Sequence, residues 1–311
     1  MGKTAFVFPG QGSQFAGMGE DLARQYPEAR AVFERADAAL GESLSRLCFE
    51  GPDDQLRLTA NTQPAILTAS LAAFAVLAAR GARFDGVAGH SLGEYSAIGA
   101  AGGLGVEDLV RAVRKRGQLM QEAVPVGVGA MSAVLGPARD LVEACCREAS
   151  TGGEAVVAAN FNAPEQTVIA GHAGAVARAG ELLVARGAKR VVPLPVSAPF
   201  HSPLMAPARA GLAPVLAALP FAGLSVALYN NVDAAPVADA DAVRDGLVRQ
   251  VDAPVRWVEL VERMVADGFD TFVEVGPGSV LSGLIRRIAR PVATAQAGTA
   301  EQVEAYLAKQ G

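Results

Sequence analysis

The sequence predicts an α/β protein: a large domain whose mostly parallel sheet carries helices on both faces, with a small domain inserted into it. Three observations carry this expectation. Strand-like and helix-like patterns alternate from Thr4 to Ala289. Between Val126 and Pro195 the order becomes βαββαβ, the ferredoxin-like unit, which closes as a two-layer fold of its own. At Val87–Glu94 a short apolar strand runs into Gly-His-Ser-Leu-Gly-Glu and then a helix, the pattern of a nucleophile elbow on an α/β-hydrolase-like sheet.

Composition sets the outer bounds. With 311 residues, 51% hydrophobic and 19% charged, the chain can bury a sizeable core and hold a large domain with an insert. Aromatic residues make up only 5%, so that core is expected to be Ala, Val and Leu, as in helix-covered parallel sheets. The net charge of −5 leaves no basic excess to neutralise phosphates, which argues against nucleic acid as a partner. Cys48, Cys145 and Cys146 form neither a disulfide framework nor a metal-ligand spacing and point to a reducing cytoplasm. The longest apolar run, Ala65–Ala79, is interrupted by Thr68 and Ser70. It falls short of the ~20 residues of a membrane span, so a buried helix is expected and no membrane partner.

Taken in order, Thr4–Phe8 reads as a first buried strand, followed by the turn-rich loop Pro9–Gln14. That loop lacks both the Gly-Lys-Ser/Thr ending of a phosphate loop and the third glycine of the dinucleotide fingerprint. A plain βα loop and a set of backbone N–H groups facing an oxyanion both stay open. Helical patterns follow at Gly19–Leu40 and Asn61–Arg80, then strand Val87–Gly89 and helix Ser91–Ala100. Helix Glu107–Ala123 carries Arg111, Arg114, Lys115 and Arg116, mostly a solvated face with one member free to turn inward.

The second unit reads as strand Ala130–Leu135, helix Ala138–Ala149, strands Ala155–Asn160 and Gln166–Ala170, helix Ala173–Arg186 and strand Lys189–Leu194. Pro125 and Pro195 bound it, which predicts a discontinuous large domain, 1–125 and 196–311, around a small domain at 126–195. A Pro-punctuated loop at 197–203 and a helix to Leu219 come next. Strand Ser225–Tyr229, helices Ala240–Gln250 and Arg256–Asp267, strand Thr271–Val275 and helix Ser279–Ala289 complete the large domain.

The glycines flank Ser91 because a tight strand-to-helix turn leaves no room for side chains beside it, and such a turn sets Ser91 Oγ at a helix N-terminus. An ordinary glycine-rich βα turn with a serine N-cap shows the same pattern, so a base must be sought. His90 sits in the elbow itself, where its side chain is expected to point away and support the turn. His172 follows an edge strand of the small domain and is expected at the surface. His201 lies where the chain re-enters the large domain and can overhang the elbow, so it is the candidate base by elimination. Hydrolases of this type place an acid between nucleophile and histidine. Here nearly all carboxylates of that interval, including Asp140, Glu143, Glu165 and Glu181, fall in the small domain. Either the site is a Ser–His dyad whose imidazole is oriented by a carbonyl, or the hydrolase analogy fails.

One ordered set of motifs resembles the malonyl-CoA:acyl-carrier-protein transacylase family of bacterial fatty acid synthesis. It comprises Pro9-Gly-Gln-Gly-Ser-Gln14, Asn61-Thr-Gln-Pro64, Gly89-His-Ser-Leu-Gly-Glu-Tyr-Ser96 and Arg116-Gly117. It continues through Gly127-x-Gly-Ala-Met131, Asn160-Phe-Asn162, His201-Ser202, Asn230-Asn-Val-Asp233, Gln250-x-x-x-Pro-Val-x-Trp257 and Glu274-Val-Gly-Pro-Gly278, so the likeness spans almost the whole chain. Polyketide synthase acyltransferase domains share that fold.

The resemblance implies Ser91 as nucleophile and His201 as its base, oriented by the backbone carbonyl of Gln250. It implies an oxyanion hole from the backbone N–H groups of Gln11 and Leu92, and Arg116 bidentate to the free carboxylate of malonate. Bulky Phe200 would favour malonyl over α-branched groups, and His90 and Asn160 would line or support the site. The implied reaction is ping-pong transfer from malonyl-CoA to the phosphopantetheine thiol of acyl carrier protein, by a cytoplasmic monomer needing no metal or other cofactor. An acidic carrier would dock on a basic rim, for which Lys189, Arg190, Arg286, Arg287 and Arg290 are candidates if they are not simply solvated surface. The alternatives are a stand-alone acyltransferase of a polyketide synthase, a serine esterase or thioesterase, and a non-catalytic acyl-CoA-binding protein.

Overall fold

A computed structural model describes residues 2–196 and 198–309; residue 197, in the loop before His201, lies outside them. Strand β1 (Lys3–Phe8) leads into helices α1 (Glu20–Gln25), α2 (Pro27–Leu40), α3 (Leu44–Glu50), α4 (Asp53–Leu56) and α5 (Thr59–Ala79). The one helix expected over Gly19–Leu40 is thus two. Pro27 opens α2 and its ring forces Tyr26 out of the helical region, to φ −124° and ψ 120°. Strand β2 (Gly86–Gly89), α6 (Gly93–Ala100) and α7 (Val106–Glu122) follow.

Next come β3 (Gly129–Leu135), α8 (Arg139–Ala149), β4 (Val156–Ala163), β5 (Gln166–His172), α9 (Ala173–Ala185) and β6 (Arg190–Pro193). A single 3-10 turn at Pro203–Met205 precedes α10 (Ala206–Ala217), β7 (Ala227–Tyr229), β8 (Pro236–Val237), α11 (Ala240–Gln250) and α12 (Trp257–Ala266). The chain continues with β9 (Phe269–Val275), α13 (Val280–Ile288), β10 (Ala293–Ala297) and α14 (Ala300–Leu307). The last pair was not expected, because Ala-Thr-Ala-Gln-Ala in β10 holds no large apolar side chain to mark a strand.

Six strands form the main sheet in the order β10-β9-β1-β2-β7-β8, all parallel except β8. Central β1 is buried on both faces, as a helix-covered parallel strand must be. Phe6 and Phe8 join the cluster of Leu22, Phe33, Ile66 and Val76 from α1, α2 and α5. Ala5 and Val7 face the opposite cluster of Trp257, Leu260 and Ile285 from α12 and α13. Helix α5 is long and apolar enough to cross a membrane, yet 78% of its most apolar stretch is buried inside the protein. Its apolar surface is spent on the core, and buried Thr62 and Thr68 close their hydroxyls on the carbonyls of Leu56 and Pro64.

The second sheet is antiparallel, in the order β4-β5-β3-β6. Val142, Cys145, Val176 and Leu183 of α8 and α9 cover one face against Val134 and Ile169. The alternate residues Met131, Val168 and Ala170 turn to the opposite face and pack with the main cluster. β5 is therefore an interior strand, and His172 does not follow an edge. It is partly buried, its Nδ1 accepting from the Ala155 N–H at 3.0 Å. In the main sheet the parallel strands β1, β2, β7 and β9 all end on one side, and the loops that leave β1, β2 and β7 carry Gln11, Ser91 and Asn231 to the site.

Candidate active site

β2 ends at Gly89 and α6 begins at Gly93, so Ser91 sits on the turn between them at φ 51°. Glycine is required on either side by close approach of backbone. A Cβ on Gly89 would lie 1.9 Å from the Gly93 carbonyl carbon, and one on Gly93 would lie 2.0 Å from the Phe8 oxygen. Outside glycine, only Ser91, His201 and Ala234 hold positive φ among the described residues. Such a backbone costs about 1–3 kcal/mol per residue, and two of the three instances meet here. Asn231, in the loop after β7, holds the strained turn: its Oδ1 accepts from the Ser91 N–H at 2.7 Å and its Nδ2 donates to the Gly89 carbonyl at 2.7 Å.

His201 Nε2 lies 2.7 Å from Ser91 Oγ. Its Nδ1 lies 2.9 Å from the Gln250 carbonyl and 3.2 Å from that of Ala253. Carbonyls only accept, so Nδ1 carries the proton and Nε2 is left with the lone pair that takes the Ser91 hydroxyl. Burial pushes the imidazole down to about 3, with the nearby Arg116 cation acting in the same direction. The ring is therefore neutral over the physiological range. Among the described residues no acid completes a triad: the carboxylate at the elbow, Glu94, bonds to Asn231 and Gln250 and not to His201.

Arg116 is the member of the basic cluster that turns inward. α7 carries it on the face packed against α5, where only 2% of the residue is exposed. Its Nη2 donates to Ser91 Oγ at 3.0 Å and to Gln250 Oε1 at 2.9 Å, while Nη1 donates to Gln63 Oε1 at 2.8 Å. Nε has no partner among the described residues. Burial lowers the guanidinium's proton affinity, but arginine stays charged even so. A buried cation thus stands beside the serine with no carboxylate in direct contact among the described residues; Glu94 acts on it only across the Gln250 side chain.

These groups open onto a cavity of about 170 Å³ lined by Gln11, His90, Ser91, Leu92, Arg116, Asn160, Phe200 and His201, together with Gln63, Met131, Asn162 and Val168. Of the expected site residues only Gln250 is outside this lining, and it reaches the site through its hydrogen bonds. Among the described residues, the N–H groups of Gln11 and Leu92 have no acceptor. His90 does not point away from the site: its ring lines the cavity, bonded through Nε2 to Asn162 Oδ1 at 2.8 Å and set against Trp257. Lys189, Arg190, Arg286, Arg287 and Arg290 are exposed and outside the cavity, Lys189 paired with Glu165 at 3.0 Å.

Sequence reasoning quoted Gln63, Glu94, Asn162 and Asn231 within motifs but gave them no task. The available signal was a polar residue inside an apolar helix. Gln63 stands in the apolar run of α5, and Glu94 is the sole charge in Gly-Glu-Tyr-Ser-Ala-Ile-Gly-Ala of α6.

An elbow serine with a carbonyl-held imidazole and a spare buried cation is chemistry for acyl groups, and comparison with known proteins agrees with it. Residues 5–305 match the model of the acyl transferase domain. The malonyl CoA-acyl carrier protein transacylase of Bacillus subtilis is 45% identical over 304 residues, 98% of this chain and 96% of that protein. Its counterpart from Escherichia coli K12 is 50% identical over 289 residues, 93% of each chain. A malonyl-transacylase solved in complex with its type II polyketide synthase acyl-carrier protein has a TM-score of 0.96 at 43% identity, with 99% of both chains covered. The chain belongs to the malonyl-CoA:acyl-carrier-protein transacylases of the acyl transferase family.

Proposed function

We propose that this chain moves a malonyl group from malonyl-CoA to the phosphopantetheine thiol of acyl carrier protein, through an ester on Ser91, to supply fatty acid synthesis. The observation that carries the acyl choice is Arg116, a buried guanidinium 3.0 Å from Ser91 Oγ that, among the described residues, has no carboxylate in direct contact and no acceptor on Nε. An acyl group that brings its own carboxylate supplies the missing anion, and the planar fork suits a carboxylate better than an ammonium would. The 170 Å³ cavity is close to the ~150 Å³ that holds a benzene molecule, room for malonyl and little more. Phe200, nine-tenths buried, is part of its wall, a bulky side chain that supports malonyl over an α-branched group.

In the first half-reaction His201 Nε2 takes the hydroxyl proton as Ser91 Oγ attacks the thioester carbon. The oxyanion forms against the N–H groups of Gln11 and Leu92. Collapse expels coenzyme A, which leaves with the proton held by His201, and malonyl-Ser91 remains. In the second half the carrier's thiol gives its proton to His201, attacks the ester carbon and returns Ser91 as the hydroxyl. Free thiols titrate near ~8.5, so the base is needed twice. In this reading residues 126–195 are the inserted small domain, and the site is the cleft between it and the domain of 1–125 and 196–311. Supporting this, Met131 and Val168 of the second sheet line the cavity with Ser91 of the first. A reducing cytoplasm suits the buried free Cys48, Cys145 and Cys146.

A second reading, service to a polyketide carrier, draws on the solved complex at 43% identity. The test is to supply malonyl-CoA with a fatty acid carrier, a polyketide carrier or water alone. Malonyl should accumulate on the fatty acid carrier's thiol faster than free malonate is released. Malonate release at one rate whichever acceptor is present would make the protein a thioesterase.

A further inference from the structure

One buried ionisable group at the site takes no part in the acyl chemistry described so far. Glu94, in the first turn of α6, has no exposed surface. Its Oε2 accepts from the Asn231 backbone N–H at 2.9 Å and from Gln250 Nε2 at 2.9 Å, while Oε1 has no partner among the described residues. Holding a carboxylate in the interior with one oxygen unsatisfied is a cost that the fold alone does not demand.

What the carboxylate touches suggests its use. The Gln250 side chain is a switchboard between the reactive residues. Nε2 donates to Glu94 Oε2 and to the Ser91 carbonyl at 3.1 Å, and Oε1 accepts from Arg116 Nη2 at 2.9 Å. Turning that amide over would set its NH₂ against the guanidinium, donor to donor, and its oxygen against the carboxylate, acceptor to acceptor. Arg116, a pure donor, and the Ser91 carbonyl, a pure acceptor, favour the same orientation. An ionised carboxylate, which can only accept, adds a third contact against the flip, and a neutral acid or an amide, able to donate, withdraws it. The same oxygen holds Asn231, whose side chain fastens the Ser91 turn.

Resting on the reading of Arg116 as partner of the malonyl carboxylate, we propose that Glu94 is a positioning residue. It locks the Gln250 amide with its oxygen toward Arg116, and so fixes the guanidinium that selects a dicarboxylic acyl group. The charged groups that face it are Arg116 from α7, which favours the ionised form, and Asp233 beyond β7, which disfavours it. β2 and α5 carry no charged residue, and β1 only the exposed Lys3. Burial outweighs both and raises Glu94 to about 7, so the lock loosens as pH falls through neutrality and tightens as it rises.

The experiment measures KM and kcat with malonyl-CoA and acetyl-CoA for wild type, Glu94→Leu and Glu94→Gln between roughly pH 6 and pH 8. Glu94→Leu should raise the malonyl-CoA KM by about tenfold or more, the scale of a lost hydrogen bond to a charged group, and the acetyl-CoA KM by far less. Any fall in kcat from loosening Asn231 should be shared by both thioesters. Glu94→Gln, which can donate as the neutral acid does, should hold the malonyl-CoA KM near the value wild type shows at the low end of that range and lose the pH dependence. Equal losses for both acyl groups, or an unchanged malonyl-CoA KM, would overturn the proposal. Should Glu94→Leu fail to fold, Glu94→Gln decides: a malonyl-CoA KM that still follows pH as in wild type overturns it. If wild type transfers no malonyl group at all, the function fails and not this inference alone.

Discussion

His201→Ala should slow acylation by malonyl-CoA at least about 10⁴-fold while leaving the fold intact. Among the described residues Nε2 is the one base bonded to Ser91 Oγ; the other partner, Arg116 Nη2, is a donor and cannot take a proton. Single-turnover release of coenzyme A measures this step directly, and a loss of less than about tenfold would remove His201 from its role. The same residue sets the acid side of the pH profile. With the imidazole held near about 3 by burial and by Arg116, the acid limb of kcat/KM should fall well below the ordinary histidine value of ~6.5. Stability follows the same sign. Between those two values the unfolded chain binds a proton that the folded one does not, so this contribution is whole above ~6.5 and eroded as pH falls toward 3. His201→Ala should flatten that acid slope.

Arg116→Ala should collapse the preference for malonyl over acetyl. The malonyl carboxylate would lose its partner, a loss of about 2–5 kcal/mol for a buried pair, which is roughly 30- to several-thousand-fold in kcat/KM. Acetyl transfer should suffer far less, since acetyl makes no such contact and His201 is freed of a cation that depresses its basicity. That second effect couples choice to catalysis. On the proposed reading, a bound carboxylate would neutralise Arg116 and let His201 accept the proton more readily, a benefit that acetyl cannot provide. Steady-state rates with both thioesters test this, and an unchanged malonyl-to-acetyl ratio would contradict it. Arg116→Lys should not restore the preference, because an ammonium cannot hold Gln63, Gln250, Ser91 and a carboxylate in one plane.

What the sequence made legible was local. Gly89 and Gly93 around Ser91 are dictated by backbone contact within a few residues, and the elbow is visible for that reason. The second sheet was legible through its own alternation, in which Val168 and Ile169 face opposite sides. The break at Tyr26–Pro27 was missed because the apolar period runs through it, although the proline was there to be weighed. β10 has too little apolar mass to be marked. Within the site, spacing cannot name the group that orients His201, because it is a carbonyl, which every residue has; the family resemblance alone pointed to Gln250. The ties from Arg116 to Gln63 and Gln250, and from Glu94 to Asn231 and Gln250, join residues far apart in the chain. No spacing rule reports such contacts; a lone polar residue in an apolar helix reports only that something must meet it.

A malonyl ester on Ser91 is open to intact-protein and peptide mass spectrometry after brief exposure to malonyl-CoA. The expected result is one malonyl group per chain, on the peptide containing Ser91, discharged when acyl carrier protein is added and absent in Ser91→Ala. A malonyl adduct that persists in Ser91→Ala, or transfer to the carrier with no adduct formed on the wild type, would contradict it.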